Sequence, residues 1–245
     1  MKNKIGVFDS GIGGLTVLKE IYKHYPNEDY IYIGDNKNLP YGEKTKEQLL
    51  MYASKILDYF IKEKVNIVVI ACNTMCSNVF SKLTNKYKNV NIIGVIDATV
   101  DSFIKENKSN VLVIGTTATI KSNIYEKKIK SINSNINVYS LPTPKLVPLI
   151  ENMEDVKDTI DEYLKPYDNI DSIILGCTHY KLIDKYINKN IKLINSSDGV
   201  VSKLKEYINT DSKNGSIKIY TTGALNEFNI LCNKIMNMNA EFIEL

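Results

Sequence analysis

The sequence predicts an α/β fold with mainly parallel sheet, built as two similar units. Three observations carry this. Short, β-branched apolar runs alternate with longer segments of helical apolar spacing, the order produced when crossover helices join parallel strands. Two runs, Ile67–Ala71 and Ile173–Gly176, are apolar without alternation, as a strand buried on both faces must be. Each ends directly in a cysteine, and the features preceding the first recur before the second. Phe8 and Cys72 stand 64 positions apart, Gly115 and Cys177 62.

Taken in order, Lys4–Phe8 reads as a strand, and Asp9-Ser10-Gly11-Ile12-Gly13-Gly14 as a tight turn into a helix from Leu15 to about Tyr25, stopped by Pro26-Asn27. Tyr30–Gly34 is the next strand, followed by a loop that ends Leu-Pro-Tyr-Gly. Thr45 and Gln48 have capping-box spacing, opening a helix to about Lys64 with Leu49, Tyr52, Ala53, Ile56, Tyr59 and Phe60 on one stripe. The strand Ile67–Cys72, a helix and the strand Ile92–Val95 complete the first unit. The second opens with Val111–Gly115, whose continuation Thr116-Thr117-Ala118-Thr119 stands where Asp9-Ser10 stood. After Cys177 a helix is expected, then the strand Lys192–Ile194 and a helix opening near Ser197-Asp198. The strand Ile217–Tyr220 and the helix Asn226–Met236 have no counterpart in the first unit, so they are expected to cross back to it. The first domain is then discontinuous, residues 1–96 plus 209–245, around a second of residues 97–208.

Composition narrows the function. With 44% hydrophobic residues over 245 positions the chain can bury a sizeable core, and disorder is not the expectation. A net charge of +3 is too small to argue for a nucleic acid or membrane partner. All 31 basic residues are lysines, so any bound carboxylate must be held without a guanidinium fork. Four cysteines make neither a secreted disulfide framework nor a pair of CxxC zinc motifs, and no apolar run approaches the ~18 residues of a membrane span. No secretory h-region opens the chain, so a cytoplasmic protein is expected.

The chemistry gathers at the strand ends, where ligands bind in open α/β sheets. A free cysteine is usually a small core hydrophobe. Cys72 and Cys177 differ by recurring at matching strand–helix junctions, each followed by polar residues, Asn73-Thr74 and Thr178-His179, and a helix amino terminus favours a thiolate. Cys76 and Cys232 lack that setting and are assigned to the core. Asp9 can cap the helix that follows it, yet it also stands beside Ser10 and glycines that admit a ligand to the backbone. Gly11-Ile12-Gly13-Gly14 is only a fragment of a dinucleotide fingerprint. His179, beside Cys177, is assigned to the site; His24, at a helix end, to the surface. Two like acid/base groups without a metal set or cofactor loop suit a reaction whose substrate and product are mirror images, one group removing a proton from a carbon and the other returning one to the opposite face.

Asp9-Ser10-Gly11-Ile12-Gly13-Gly14-Leu15, Pro40-Tyr41-Gly42, Ala71-Cys72-Asn73-Thr74 and Gly176-Cys177-Thr178-His179-Tyr180 together resemble the signature segments of the glutamate racemases, in the aspartate/glutamate racemase superfamily. Gly115-Thr116 and Val147–Glu151 extend the resemblance through most of the chain. It implies two pseudo-symmetric three-layer α/β domains with the active site between them, and cofactor-independent, metal-free interconversion of L- and D-glutamate for peptidoglycan. It implies Cys72 and Cys177 as the acid/base pair, and Asp9, Ser10, Tyr41, Gly42, Asn73, Thr74, Thr178 and His179 as substrate contacts. Asp9, Glu151 and His179 are implied to assist proton transfer. The partners implied are the small-molecule substrate and, as an assembly, a homodimer. Met75-Cys76, Lys181 and Leu141-Pro142-Thr143-Pro144 depart from the usual pattern of these enzymes. The rival readings are a racemase for aspartate or another amino acid, which commonly carries Cys-Thr-Glu at the second cysteine, and a non-catalytic amino-acid binder. A redox role for Cys72 and Cys76 would require Cys-x-x-Cys rather than their Cys-x-x-x-Cys spacing.

Overall fold

The computed structural model describes residues 3–187, 190–208 and 214–245. Within them two parallel sheets are laid down in succession. β1 (Lys4–Asp9), β2 (Asp29–Gly34), β3 (Ile67–Ile70) and β4 (Asn91–Gly94) alternate with α1 (Gly14–His24), α2 (Lys46–Lys62) and α3 (Asn73–Lys86). α4 (Val95–Lys105) then leads to β5 (Asn110–Gly115), α5 (Thr117–Lys121), α6 (Ile124–Ile132), β6 (Asn137–Pro142), α7 (Leu146–Glu151), α8 (Lys157–Leu164), β7 (Ser172–Gly176) and β8 (Lys192–Ile194). α9 (Ser196–Leu204), β9 (Ser216–Thr221), α10 (Leu225–Met236) and β10 (Glu241–Phe242) close the chain.

The larger sheet has the order β10-β9-β2-β1-β3-β4 and the smaller β6-β5-β7-β8, with every strand pair parallel. The order β2-β1-β3-β4 thus recurs as β6-β5-β7-β8. β1 corresponds to β5, and β3, which precedes Cys72, to β7, which precedes Cys177. β9 pairs with β2 over six residues, returning the chain to the larger sheet. Residue 96 lies in the first turn of α4, and residue 209, where the return was expected, lies outside the described residues.

Burial accounts for the sequence pattern of the central strands. Val111 and Val113 of β5 face the main apolar cluster, while Leu112 and Ile114 face a second one beneath α7 and α8; Ile174 and its neighbours Ile173 and Leu175 divide in the same way. Period-two alternation would have left one face polar. The main cluster runs from the larger sheet into the near face of the smaller one, taking in Val100 and Phe103 of α4 and Val200 and Leu204 of α9. These two helices cross closely because Gly199 has no side chain: a Cβ there would run into the Ala98 carbonyl.

The capping box forms as expected. Thr45 Oγ1 accepts from the Gln48 N–H at 3.2 Å, and Gln48 Oε1 accepts from the Thr45 N–H at 2.9 Å. Two features differ from the sequence expectation. The segment after Cys177 is a short 3-10 turn, Thr178–Leu182, in place of a helix. Its first residue is tied to the other half, the Thr178 carbonyl accepting from Thr16 and the Thr178 hydroxyl donating to Asp9. β6 also has no clear signature in the sequence. It is a mostly exposed edge strand, with only Val138 and Leu141 partly buried, and at such an edge Pro142 is tolerated.

Candidate active site

The carboxyl ends of six strands, three from each sheet, converge on one cavity of about 460 Å3. The larger sheet contributes Asp9 and Ser10 after β1, Leu39–Glu43 after β2, and Cys72, Asn73 and Thr74 after β3. The smaller sheet contributes Thr116 and Thr117 after β5, Thr143 and Pro144 after β6, Cys177, Thr178 and His179 after β7, and Glu151 from α7. The parallel arrangement is what brings all these ends to one side. Asp9, Ser10, Tyr41, Gly42, Cys72, Asn73, Thr74, Cys177, Thr178 and His179 all line this cavity; Cys76 and Cys232 do not. Cys76 instead donates to the Ile70 carbonyl at 3.4 Å, and Cys232 is fully buried. All four thiols are free.

The surroundings of the two cysteines are unlike. Cys72 is the N-cap of the 14-residue α3. Burial, and then the nearby Asp9 carboxylate, push its thiol well above the usual value, although the Met75 N–H at the helix start and the Ser10 hydroxyl act against them. Cys177 has no α-helix behind it, so the helix dipole expected from the sequence is absent there. It has a histidine instead: Sγ lies 3.5 Å from His179 Nδ1, and His179 Nε2 lies 3.0 Å from Glu151 Oε1. Burial opposes the imidazolium of His179, but hydrogen bonds to Cys177 and Glu151 outweigh it and hold the imidazole well above its ordinary pKa. One thiol is thus served by a helix and a carboxylate, the other by a thiol–imidazole–carboxylate chain.

Asp9 serves both roles considered for it. Its Oδ2 accepts from the Gly14 N–H at 2.8 Å, capping α1, and from Thr178 Oγ1 at 3.3 Å across the cleft. Burial raises its pKa above the usual carboxylate value, against the His179 charge and the main-chain N–H groups of Gly14, Ser10 and Gly11. The glycines of this turn do not make room for a phosphate. A Cβ on Gly13 would lie 2.5 Å from both His179 Nδ1 and Thr178 Oγ1, so the open space admits the other half of the site. The Thr16 hydroxyl adds a bond to the Thr178 carbonyl at 3.2 Å, and Thr74 Oγ1 meets Thr116 Oγ1 at 3.0 Å.

Tyr41 lines the cavity, while its hydroxyl donates to Asp35 Oδ2 at 2.6 Å and its ring stacks on Tyr52, so the phenol is engaged on the side of the larger sheet. Asp35 also accepts from Thr222 and Asn38, and together they brace the Tyr41-Gly42 turn at the cavity wall. Sequence reasoning did not single out Asp35, and no local motif marks it: its partner Thr222 is 187 positions away. Thr143 was noted only within a departure from a familiar pattern, and it lines the cavity after β6. No lysine is among the lining residues, and among the described residues no group of three His, Cys, Asp or Glu side chains is arranged to hold a metal ion.

Residues 7–204 match the family described as Asp/Glu/hydantoin racemase. A glutamate racemase of Hydrogenobaculum sp. is 37% identical over 89% of this chain and 87% of that protein. The crystal structure of glutamate racemase isoform RacE1 from Bacillus anthracis superposes with a TM-score of 0.92 at 31% identity, covering 99% of this chain and 97% of that one. The glutamate racemase of Francisella tularensis, solved in complex with D-glutamate, gives 0.88 at 35% identity, covering 100% and 97%.

Proposed function

Since the chain belongs to the Asp/Glu/hydantoin racemase family, we propose that it interconverts L- and D-glutamate by a cofactor-independent two-base mechanism, supplying D-glutamate for peptidoglycan. The observation that carries the reading is the convergence of Cys72 and Cys177 on one cavity from the equivalent strands β3 and β7. Thiols brought to one cavity from two different sheets suit a reaction that needs an acid/base group for each face of the substrate carbon.

In this reading, the α-proton of L-glutamate passes to Cys177 as thiolate, leaving a planar carbanion. Cys72, held as a thiol by burial and Asp9, returns a proton to the other face. The imidazolium of His179 accompanies the Cys177 thiolate, and Glu151 supports the imidazolium. The reverse reaction exchanges the roles of the cysteines. Asp9 is suited to the substrate ammonium. Asn73, Thr74, Thr178, Ser10 and the main chain at Tyr41-Gly42 are suited to its two carboxylates, in a cavity without lysine.

Three further elements belong to this proposal. Division into domains 1–96 plus 209–245 and 97–208 is supported by the pairing of β9 and β10 with the larger sheet. Residence in the cytoplasm is supported by four free cysteines, and among the described residues no helix is long and apolar enough to cross a membrane. A homodimer is the expected assembly, and sedimentation tests it.

The direct test measures racemisation of both glutamates, beside both aspartates, in dialysed protein without added cofactor. Glutamate is expected to be turned over, with deuterium entering the α-carbon in heavy water. Cys72→Ala and Cys177→Ala should each abolish racemisation in both directions, while Cys76→Ala keeps most of it. Substantial racemisation in either of the first two folded variants would overturn the scheme.

A further inference from the structure

Asn73 is 3% exposed, lines the cavity, and divides its amide unevenly. Its Oδ1 accepts a 2.6 Å hydrogen bond from the Tyr125 hydroxyl, whereas its Nδ2 is buried and has no partner among the described residues. A buried amide nitrogen left unpaired is costly, so such an atom calls for a ligand that completes it. Tyr125 belongs to α6 of the smaller-sheet half, and Asn73 to the first turn of α3 in the larger. The tyrosine is itself 3% exposed and makes no wall of the cavity.

We propose that Tyr125 is a positioning residue: by donating to Asn73 Oδ1 across the domain boundary it fixes which end of the amide faces the cavity, presenting Nδ2–H2 to a carboxylate of the bound amino acid. The inference rests on the amino-acid racemase reading above and deepens it. An asparagine amide turned by 180° has nearly the same shape but shows an acceptor in place of a donor. Towards a carboxylate that exchange turns attraction into repulsion, so the orientation matters more than the packing. A phenol oxygen can also accept, so the direction rests on the buried Ser196 hydroxyl beside it, which offers a donor to that oxygen and leaves the Tyr125 O–H for Asn73 Oδ1. Burial keeps this phenol protonated across the working pH range, so its hydroxyl remains able to donate. The bond also joins the two halves of the molecule directly at the cavity wall.

The test is Tyr125→Phe, which removes one oxygen and keeps the ring. In wild-type and variant protein labelled with 15N and free of substrate, the Asn73 side-chain NH2 should give one sharp pair of resonances in wild type. In Tyr125→Phe it should give a doubled or exchange-broadened pair. Kinetically, KM for both enantiomers of the amino acid that the wild type racemises should rise about tenfold, the equivalent of one lost hydrogen bond, with kcat falling much less. In an Asn73→Ala background Tyr125→Phe should cause no further loss, since its effect runs through the amide. A single sharp NH2 pair in the variant, an unchanged KM, or losses that add to those of Asn73→Ala would each overturn the proposal. Failure of wild type to racemise glutamate would count against the functional reading alone, because the resonance measurement needs no substrate.

Discussion

Glu151→Gln tests the thiol–imidazole–carboxylate chain with little change of shape. Glutamine keeps an oxygen to face His179 Nε2 but removes the charge. The pair is 3.0 Å apart, with the His179 side chain 4% and the Glu151 side chain 30% exposed, so solvent screens it only in part. A charge-assisted bond of this kind contributes about 1.5–3 kcal/mol, roughly twice the neutral one that glutamine retains, so about 0.8–1.5 kcal/mol is lost and kcat/KM is expected to fall by roughly 4- to 12-fold. Enantiomers are equal in free energy, so the loss in kcat/KM must be the same from L- and from D-glutamate. The pH profile carries the sharper signature. Glu151 helps hold the imidazole of His179 above its ordinary pKa, and activity requires the imidazolium. Without that charge His179 loses its proton at lower pH, so the alkaline limb of the kcat/KM profile should move to lower pH. The same linkage sets stability. A raised folded-state pKa contributes stability that is full below the unfolded value of 6.5 and lost as pH rises through the folded value. The Tm difference between wild type and Glu151→Gln should accordingly be largest in acid and shrink as pH rises. Circular dichroism melts and racemisation rates from pH 5 to 10 measure both. An alkaline limb that stays in place, or moves up, would refute the assigned chain.

Asp9→Asn should abolish most turnover and yet raise Tm at neutral pH. Asparagine can still cap Gly14, and the ionised carboxylate is disfavoured by burial; because the folded pKa is raised above 3.8, the stability gain should vanish on acidification below that value. Gly13→Ala places a methyl 2.5 Å from His179 Nδ1 and Thr178 Oγ1, so overpacking should cost about 1–3 kcal/mol, read as a drop of several degrees in Tm. Activity should fall further than in the comparable Gly42→Ala, where a Cβ meets nothing within 4 Å; equal losses would count against the close approach.

The amino-acid sequence by itself determined the layered architecture, because strand burial and helix amphipathicity are written into local periodicity. Doubly buried β3 and β7 had to be apolar throughout, the Thr45–Gln48 box had to open a helix, and the thiols had to stand where those strands end. The likeness of two strand–cysteine junctions, and the signature segments around them, also lay in the chain to be read. What only the tertiary structure decided is how residues distant in the chain share one site. β6 is a mostly exposed edge with only Val138 and Leu141 partly buried, and its place depends on pairing with β5. Tyr41 belongs to Asp35 and Thr222, and Asn73 takes its orientation from Tyr125, 52 positions on. The thiols are alike in their local sequence, but one meets a helix terminus and an aspartate and the other a histidine bound to Glu151. Periodicity records which face of an element is buried. It carries no record of which groups meet across a cleft, because hydrogen bonds and charge act over a few ångströms in space whatever the separation along the chain.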